Sequence, residues 1–319
     1  MTPARFARLR LLRTHGIGPV TWRQLMARFG EAEVALEALP SLARRGGGEA
    51  PRPADTAMIA REIETVERLG ARHVLLDDAD YPALLAELDT APPALIIRGD
   101  IGLAQRGGVA LVGARNASAA SCRFARGLAQ DLAAHAMPVT SGLARGIDTA
   151  AHIGALEGGT IGVIASGIDI AFPPENARLQ EEVATRGLLI AEQPPGTQPL
   201  ARHFPSRNRI IAGLAQGTVV VEAAPRSGSL ITARLAGEAG REVMAVPGHP
   251  ADPRAQGCNM LIKHTGVALR VQRRFNPIYD ATRFPLRTLL LARTGARNVP
   301  RPAVRKRQKI CRVQGLAAR

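Results

Sequence analysis

The sequence is poor in cysteine, aromatics and long apolar runs, and each shortage excludes something. Three cysteines (Cys122, Cys258 and Cys311) occur in 319 residues. They form no CxxC pair, which argues against a disulfide framework and against a thiolate metal site. Aromatic residues make up 3% of the chain: one Trp, two Tyr and seven Phe. A single-strand binder that stacks every base on a ring would need more platforms than that. No apolar run approaches the roughly 18 residues required to span a bilayer. The opening "MTPARFARLRLLRTHGIG" scatters arginines through its apolar patches and has no small-residue cleavage site, so no signal peptide is expected. A reducing, cytoplasmic compartment and no membrane partner follow as expectations. A GxGxxG fingerprint and a Gly-Lys-Ser/Thr phosphate loop are missing as well. The usual NAD and ATP sites are therefore not expected, and no cofactor is assigned.

What is abundant is positive charge, and it is unevenly spread. The formal net charge is +15. From Ala268 to the end there are 14 basic residues against the single acid Asp280, whereas the first 267 residues carry 28 basic and 26 acidic groups. A binding surface on the folded body must be a local cluster rather than a global field.

Residues 1–75 read as short helices. "RFARLRLLRT" and "VTWRQLMARFG" have helical apolar spacing and are joined by the Gly-rich connection His15 to Pro19. Helix, Gly-x-Gly turn, helix is the layout of a helix-hairpin-helix element, which either contacts a DNA backbone or packs as a small bundle. Residues 76–104 read as a connecting segment with one strand-like run. From there to residue 267 the pattern is regular, with apolar runs "VALVGA", "MPVTSG", "TIGVIASG", "GLLIAEQ", "TVVVEAA" and "EVMAVPG" separated by helix-like segments. Near-continuous apolar strands alternating with helices predict a mostly parallel, doubly wound, extended Rossmann-like α/β sheet.

The turns that end those strands hold the informative polar residues. Open α/β sheets bind ligands at the carboxyl ends of their strands, where glycines allow close backbone approach and helix N-termini offer free amides. There the sequence places Gly113, Arg115, Ser141, Gly142, Arg145, Arg226 and the trio Ser227, Gly228 and Ser229, which read as an N-cap and anion nest. The segment "HFPSRNRIIAG" adds Phe204, Arg207, Asn208 and Arg209. Five guanidiniums on one edge of a near-neutral domain predict phosphate binding. Asp148 is either a general base or a helix-start acid bonded to amides or to an arginine. His152, one turn on, pairs with it as a dyad or simply packs, and no nucleophile stands at the right spacing. Glu222 either contacts a ribose hydroxyl or orients an arginine. Catalytic residues are not assigned.

Taken in order, "GAR" (113–115), "SGLARGIDTAAH" (141–152), "FPSRNRIIAGL" (204–214), "VVVEAAPRSGSLITA" (219–233), "REVMAVPG" (241–248) and "GCNMLIK" (257–263) closely resemble the DNA-processing protein A (DprA, or Smf) family. The resemblance covers residues 5 to 267. It implies a non-catalytic protein that binds single-stranded DNA without sequence preference and loads the RecA recombinase on it during natural transformation. It also implies a homodimer and a sterile-alpha-motif-like helical domain ahead of the sheet. Carried over by motif, the phosphate pocket is Arg115, Ser141, Gly142, Arg145, Arg207 and Asn208. The rival class is a Rossmann-like nucleoside-monophosphate phosphoribohydrolase, which uses a PGGxGT loop. Here "EAAPRSGS" stands at the comparable strand end, without the double glycine.

Two departures stand out. After "GAR", many members have a Tyr-Gly pair where this chain has "NASAASCRF". Many also continue past the "GCNMLIK" segment into a winged-helix domain, whereas residues 268–319 here form an arginine-rich, proline-broken basic tail. "GVALRVQRRFNPI" (266–278) can be written with codons whose next frame reads "ASHCVSSADLI", similar to the family's continuation. The expectation is a frameshift near Thr265 or Gly266, followed by a disordered tail.

Overall fold

The computed structural model describes residues 1–45, 49 and 51–265; the expected frameshifted tail lies outside the described residues. The chain opens with α1 (Pro3–Arg13), α2 (Pro19–Phe29), α3 (Ala32–Arg45) and α4 (Thr56–Arg68). Thr2 caps α1, and prolines stand in the first turn of α1 and α2, where a missing N–H costs nothing. Between them Gly16 takes a φ of +81°, a conformation that favours glycine. Leu11, Ile17, Trp22, Leu25, Leu36 and Leu39 fuse α1, α2 and α3 into one small core. The Trp22 indole N–H donates to the Arg8 carbonyl at 3.1 Å.

Next come β1 (Arg72–Leu75), α5 (Ala83–Ala86), β2 (Ala94–Gly99) and α6 (Gly102–Gln105). β1 thus falls in the stretch read as helices, and β2 is the strand-like run of the connecting segment. β1 pairs antiparallel with β2, Arg72 opposite Ile97 and Leu75 opposite Ala94. The helical head is joined to this edge by a buried ionic cluster. The Glu62 carboxylate of α4 accepts from the Arg13 guanidinium of α1 at 2.8 Å and faces the His73 ring of β1 at 3.1 Å. Burial would raise the Glu62 pKa, but hydrogen bonds from His73 and Arg13 outweigh it and hold it at about 2.

The rest alternates strand and helix: β3 (Val109–Val112), α7 (Ala119–Ala134), β4 (Val139–Ser141), α8 (Ile147–Ala155), β5 (Thr160–Gly167), α9 (Ala177–Arg186), β6 (Leu188–Gln193), α10 (His203–Leu214), β7 (Gly217–Val220), α11 (Ser229–Glu238), β8 (Glu242–Ala245) and α12 (Gln256–Thr265). The eight strands form one sheet in the order β1-β2-β6-β5-β4-β3-β7-β8. All pairings from β6 to β8 are parallel, and β2 joins β6 antiparallel. The parallel strands β3 to β5 are buried along their whole length, as expected when helices cover both faces. No helix among the described residues is long and apolar enough to cross a membrane.

The strand order positions the site. From β3 the chain adds β4, β5 and β6 on one side, then returns across β3 to lay down β7 and β8 on the other. The order reverses between β3 and β7, so their carboxyl ends part and leave a crevice.

Candidate nucleic-acid interface

That crevice has a volume of about 880 Å³. Its walls are the turn after β3 with Gly113 and Arg115, the α10 face with Phe204, Arg207 and Asn208, and residues 224–232 leading into α11. Asp148 lies at its base. Gly113 is required by packing, because a Cβ there would come within 2.5 Å of the Ile147 side chain and 3.1 Å of the Glu222 carbonyl.

Arg207 is the central charge. It is 6% exposed; its Nη1 donates to the Val163 carbonyl at 3.2 Å, and its Nε has no partner among the described residues. Burial lowers its pKa to about 10, with Arg115 pushing the same way and Asp148 opposing. The guanidinium lies against Gly142, where a Cβ would fall 1.5 Å from Nη1. Glycine at 142 is thus what admits the arginine. A buried guanidinium with unused donors is a site prepared for an anion.

Asp148 does not act as a free base. Its Oδ2 accepts from the amides of Gly142 at 3.2 Å and Ala144 at 3.4 Å. Burial raises its pKa against the opposing pull of Arg207. His152 forms no dyad with it. Its Nε2 accepts from the Leu143 amide at 3.3 Å, which leaves the proton on Nδ1, 2.7 Å from Thr160 Oγ1. Burial, with help from Arg207, pushes the His152 pKa down to about 3, so the ring is neutral.

Around the rim, Arg115 is exposed and stacks over the Phe204 ring, 5.0 Å from its centroid. Phe204 in turn sits 5.7 Å from Phe172. These rings, with Pro173, Pro174 and Pro199, enclose an adjoining recess of about 140 Å³ that Arg145 and Arg207 also reach. Phe172 was not picked out from sequence; the available signal was an aromatic in the proline-rich turn "DIAFPPEN" after β5. Arg145 projects into solvent and pairs with Glu175. The backbone beside it is tight, since Gly146 takes φ +74° and a Cβ would lie 2.3 Å from the Ala114 carbonyl. Asn208 donates to the Gly228 carbonyl at 3.5 Å, and Ser227 and Ser229 share a hydroxyl contact at 2.8 Å at the start of α11.

The structure corrects three sequence expectations. Arg209 does not face the crevice: two positions along a helix turn the side chain about 200° away from Arg207, and Arg209 pairs with Glu192 on the opposite side. Ser141 is fully buried, and its hydroxyl donates to the Leu111 carbonyl at 2.6 Å. Glu222 forms no ion pair with an arginine among the described residues. Its carboxylate accepts from the Ser118 amide and from the hydroxyls of Ser118 and Ser121, both at 2.7 Å, and so ties the start of α7 to the end of β7. Gly113, Arg115, Gly142, Asp148, Phe204, Arg207, Asn208 and Ser227 to Ser229 are brought together, with Arg145 at the rim.

Residues 72–279 match the family model for DNA recombination-mediator protein A, and residues 3–65 match the DprA-like N-terminal HHH domain. The chain belongs to the DNA recombination-mediator protein A (DprA/Smf) family. DNA processing protein DprA of Streptococcus pneumoniae is 46% identical over 211 residues, 66% of this chain and 73% of that protein. The X-ray structure of DprA from the same species superposes with a TM-score of 0.73 at 34% identity, covering 84% of this chain and 95% of that one. Protein Smf of Synechocystis is 36% identical over 265 residues, 79% of this chain. This chain spans 66% of the Synechocystis protein's length. A structure addressing the single-stranded DNA binding mode of DNA processing protein A from Helicobacter pylori superposes with a TM-score of 0.57 at 26% identity, covering 62% of this chain and 90% of that one.

Proposed function

We propose that this DprA-family chain binds single-stranded DNA through its phosphates, without sequence preference, in the crevice between β3 and β7. The DNA-bound homodimer then loads the RecA recombinase during DNA processing in the cytoplasm. The observation that carries the reading is the buried, under-partnered guanidinium of Arg207 at the point where the strand order reverses. Arg115 and Arg145 at the rim, the backbone at Gly142, Asn208 and the Ser227–Ser229 turn complete the set. The Helicobacter pylori relative, which concerns single-stranded DNA, supports the choice of ligand.

Salt dependence tests it. With about four to six phosphates neutralised at roughly 0.7 each, log affinity should fall against log salt with a slope of about −3 to −4. Arg145→Glu should flatten that slope by about 1, read by fluorescence anisotropy of a labelled oligonucleotide. A slope near zero, or one unchanged in Arg145→Glu, contradicts phosphate recognition at this edge.

The chain is proposed to act without catalysis. Asp148 is occupied by two amides, His152 is neutral and sealed, and Glu222 is held by two serines. Incubation with nucleoside monophosphates should release no free base. Base release that disappears in Asp148→Asn would establish the phosphoribohydrolase reading instead.

A further inference from the structure

The turn between β4 and α8 is held more firmly than a simple connection requires. Leu143 takes a φ of +53°, a left-handed conformation that residues with a Cβ seldom adopt. Such a conformation persists only where the surroundings hold it. The Leu143 side chain is fully buried in the core with Ile164, Leu179 and Val183. Its N–H donates to His152 Nε2 at 3.3 Å, and its carbonyl accepts from Asn176 Nδ2 at 2.9 Å. On either side, the Gly142 and Ala144 amides donate to Asp148, and the Ala144 carbonyl accepts from Thr149 Oγ1 at 2.7 Å. Asn176 also donates to Thr149 Oγ1 at 2.9 Å, which joins its bonds to those of α8.

Asn176 is the informative member. It occupies the N-cap position of α9, where an asparagine side chain ordinarily accepts from the helix's own amides. It makes no such bond, and its amide group is turned instead to the backbone of residues 143 and 144. The turn it holds has no slack at either end. A Cβ at Gly142 would fall 1.5 Å from Arg207 Nη1, and one at Gly146 would fall 2.3 Å from the Ala114 carbonyl, next to Arg115. Between those two points the backbone carries Arg145 to the rim. We propose that Asn176 and His152 are positioning residues for phosphate binding. By holding Leu143 left-handed they keep the turn clear of the Arg207 guanidinium and fix where Arg145 projects. Both are buried, and neither lines the crevice or the adjoining recess, so they act through the turn and not on the DNA. This rests on the reading of the crevice as the DNA site, and it assigns the geometry of that site to two residues outside it.

The test uses the full chain, with anisotropy of a labelled single-stranded oligonucleotide across salt concentrations and a thermal melt of each variant. Asn176→Ala should weaken binding about tenfold and flatten the salt slope by about 1, the signature of a lost phosphate contact. Arg145→Glu added to Asn176→Ala should then cost less than it does in the parent, because both changes remove the same contact. A purely structural Asn176 would lower the melting temperature while leaving the salt slope and the Arg145→Glu loss as they are in the parent. That result overturns the inference and leaves DNA binding intact. His152 gives an independent comparison, which decides the matter if Asn176→Ala does not fold. His152→Gln, whose Oε1 can accept from the Leu143 amide, should bind the oligonucleotide several-fold more tightly than His152→Leu, which has no acceptor. Equal affinity and equal salt slope in those two proteins contradict a positioning role. If the parent itself shows no salt-dependent binding, the DNA reading fails and the inference falls with it.

Discussion

Arg207→Leu is expected to reduce single-stranded DNA affinity by about thirtyfold or more, because removing one partner of a desolvated charge contact costs about 2–5 kcal/mol. The effect should exceed that of any rim residue. Arg207 is buried beneath the crevice, and its interaction with phosphate is therefore poorly screened, whereas Arg115 and Arg145 are exposed to solvent. The same substitution leaves the Asp148 carboxyl without its nearby positive charge, so some loss of stability is expected alongside. Arg207→Lys separates the two effects. It retains the charge near Asp148 but lacks the planar fork, so folding should recover more fully than DNA affinity. Anisotropy titrations and thermal melts of both variants check this. A folded Arg207→Leu protein that binds as tightly as the parent removes Arg207 from the site.

The largest stability effect is expected at Glu62. Its carboxylate is buried between Arg13 and His73 and joins α1, α4 and β1. Glu62→Gln leaves the Arg13 charge buried without a counter-charge, a change that costs about 3–5 kcal/mol. For a chain of this size, the melting temperature should fall by roughly 10 °C. The pH dependence has a definite direction. The folded pKa of about 2 lies below the ordinary 4.5, so the stabilisation is fully present above pH 4.5 and is lost as pH falls toward 2. Between those limits the parent should lose stability more steeply than Glu62→Gln. Parallel acid curves for the two proteins would show that this cluster contributes nothing.

Much of the architecture is legible in the sequence because parallel strands buried on both faces leave continuous apolar runs. Each of the six runs forms a strand, from Val109–Val112 to Glu242–Ala245. Their glycine-rich ends gather at one edge for the same topological reason. Of the two strands that pair antiparallel, Ala94–Gly99 matches the strand-like run of the connecting segment, whereas Arg72–Leu75 falls in the stretch read as helices. Long-range partners were not visible either. Glu222 looked available as a ligand contact, but its hydrogen-bond donors Ser118 and Ser121 stand about a hundred positions earlier in the chain. Arg209 is a different kind of miss, since helical phase alone places it opposite Arg207. The Ser141 hydroxyl is spent on the neighbouring strand's Leu111 carbonyl, a contact that requires knowing that β3 and β4 are adjacent.

The most direct measurement is nitrogen-15 NMR of the arginine Nε–H groups during titration with an unlabelled oligonucleotide. The Arg207 signal is assigned by its loss in Arg207→Lys. If the crevice between β3 and β7 is the binding site, the Arg207 and Arg115 signals shift together and saturate at the Kd found by anisotropy. Saturable DNA binding with both signals unmoved would contradict the account and place the interface elsewhere on the chain.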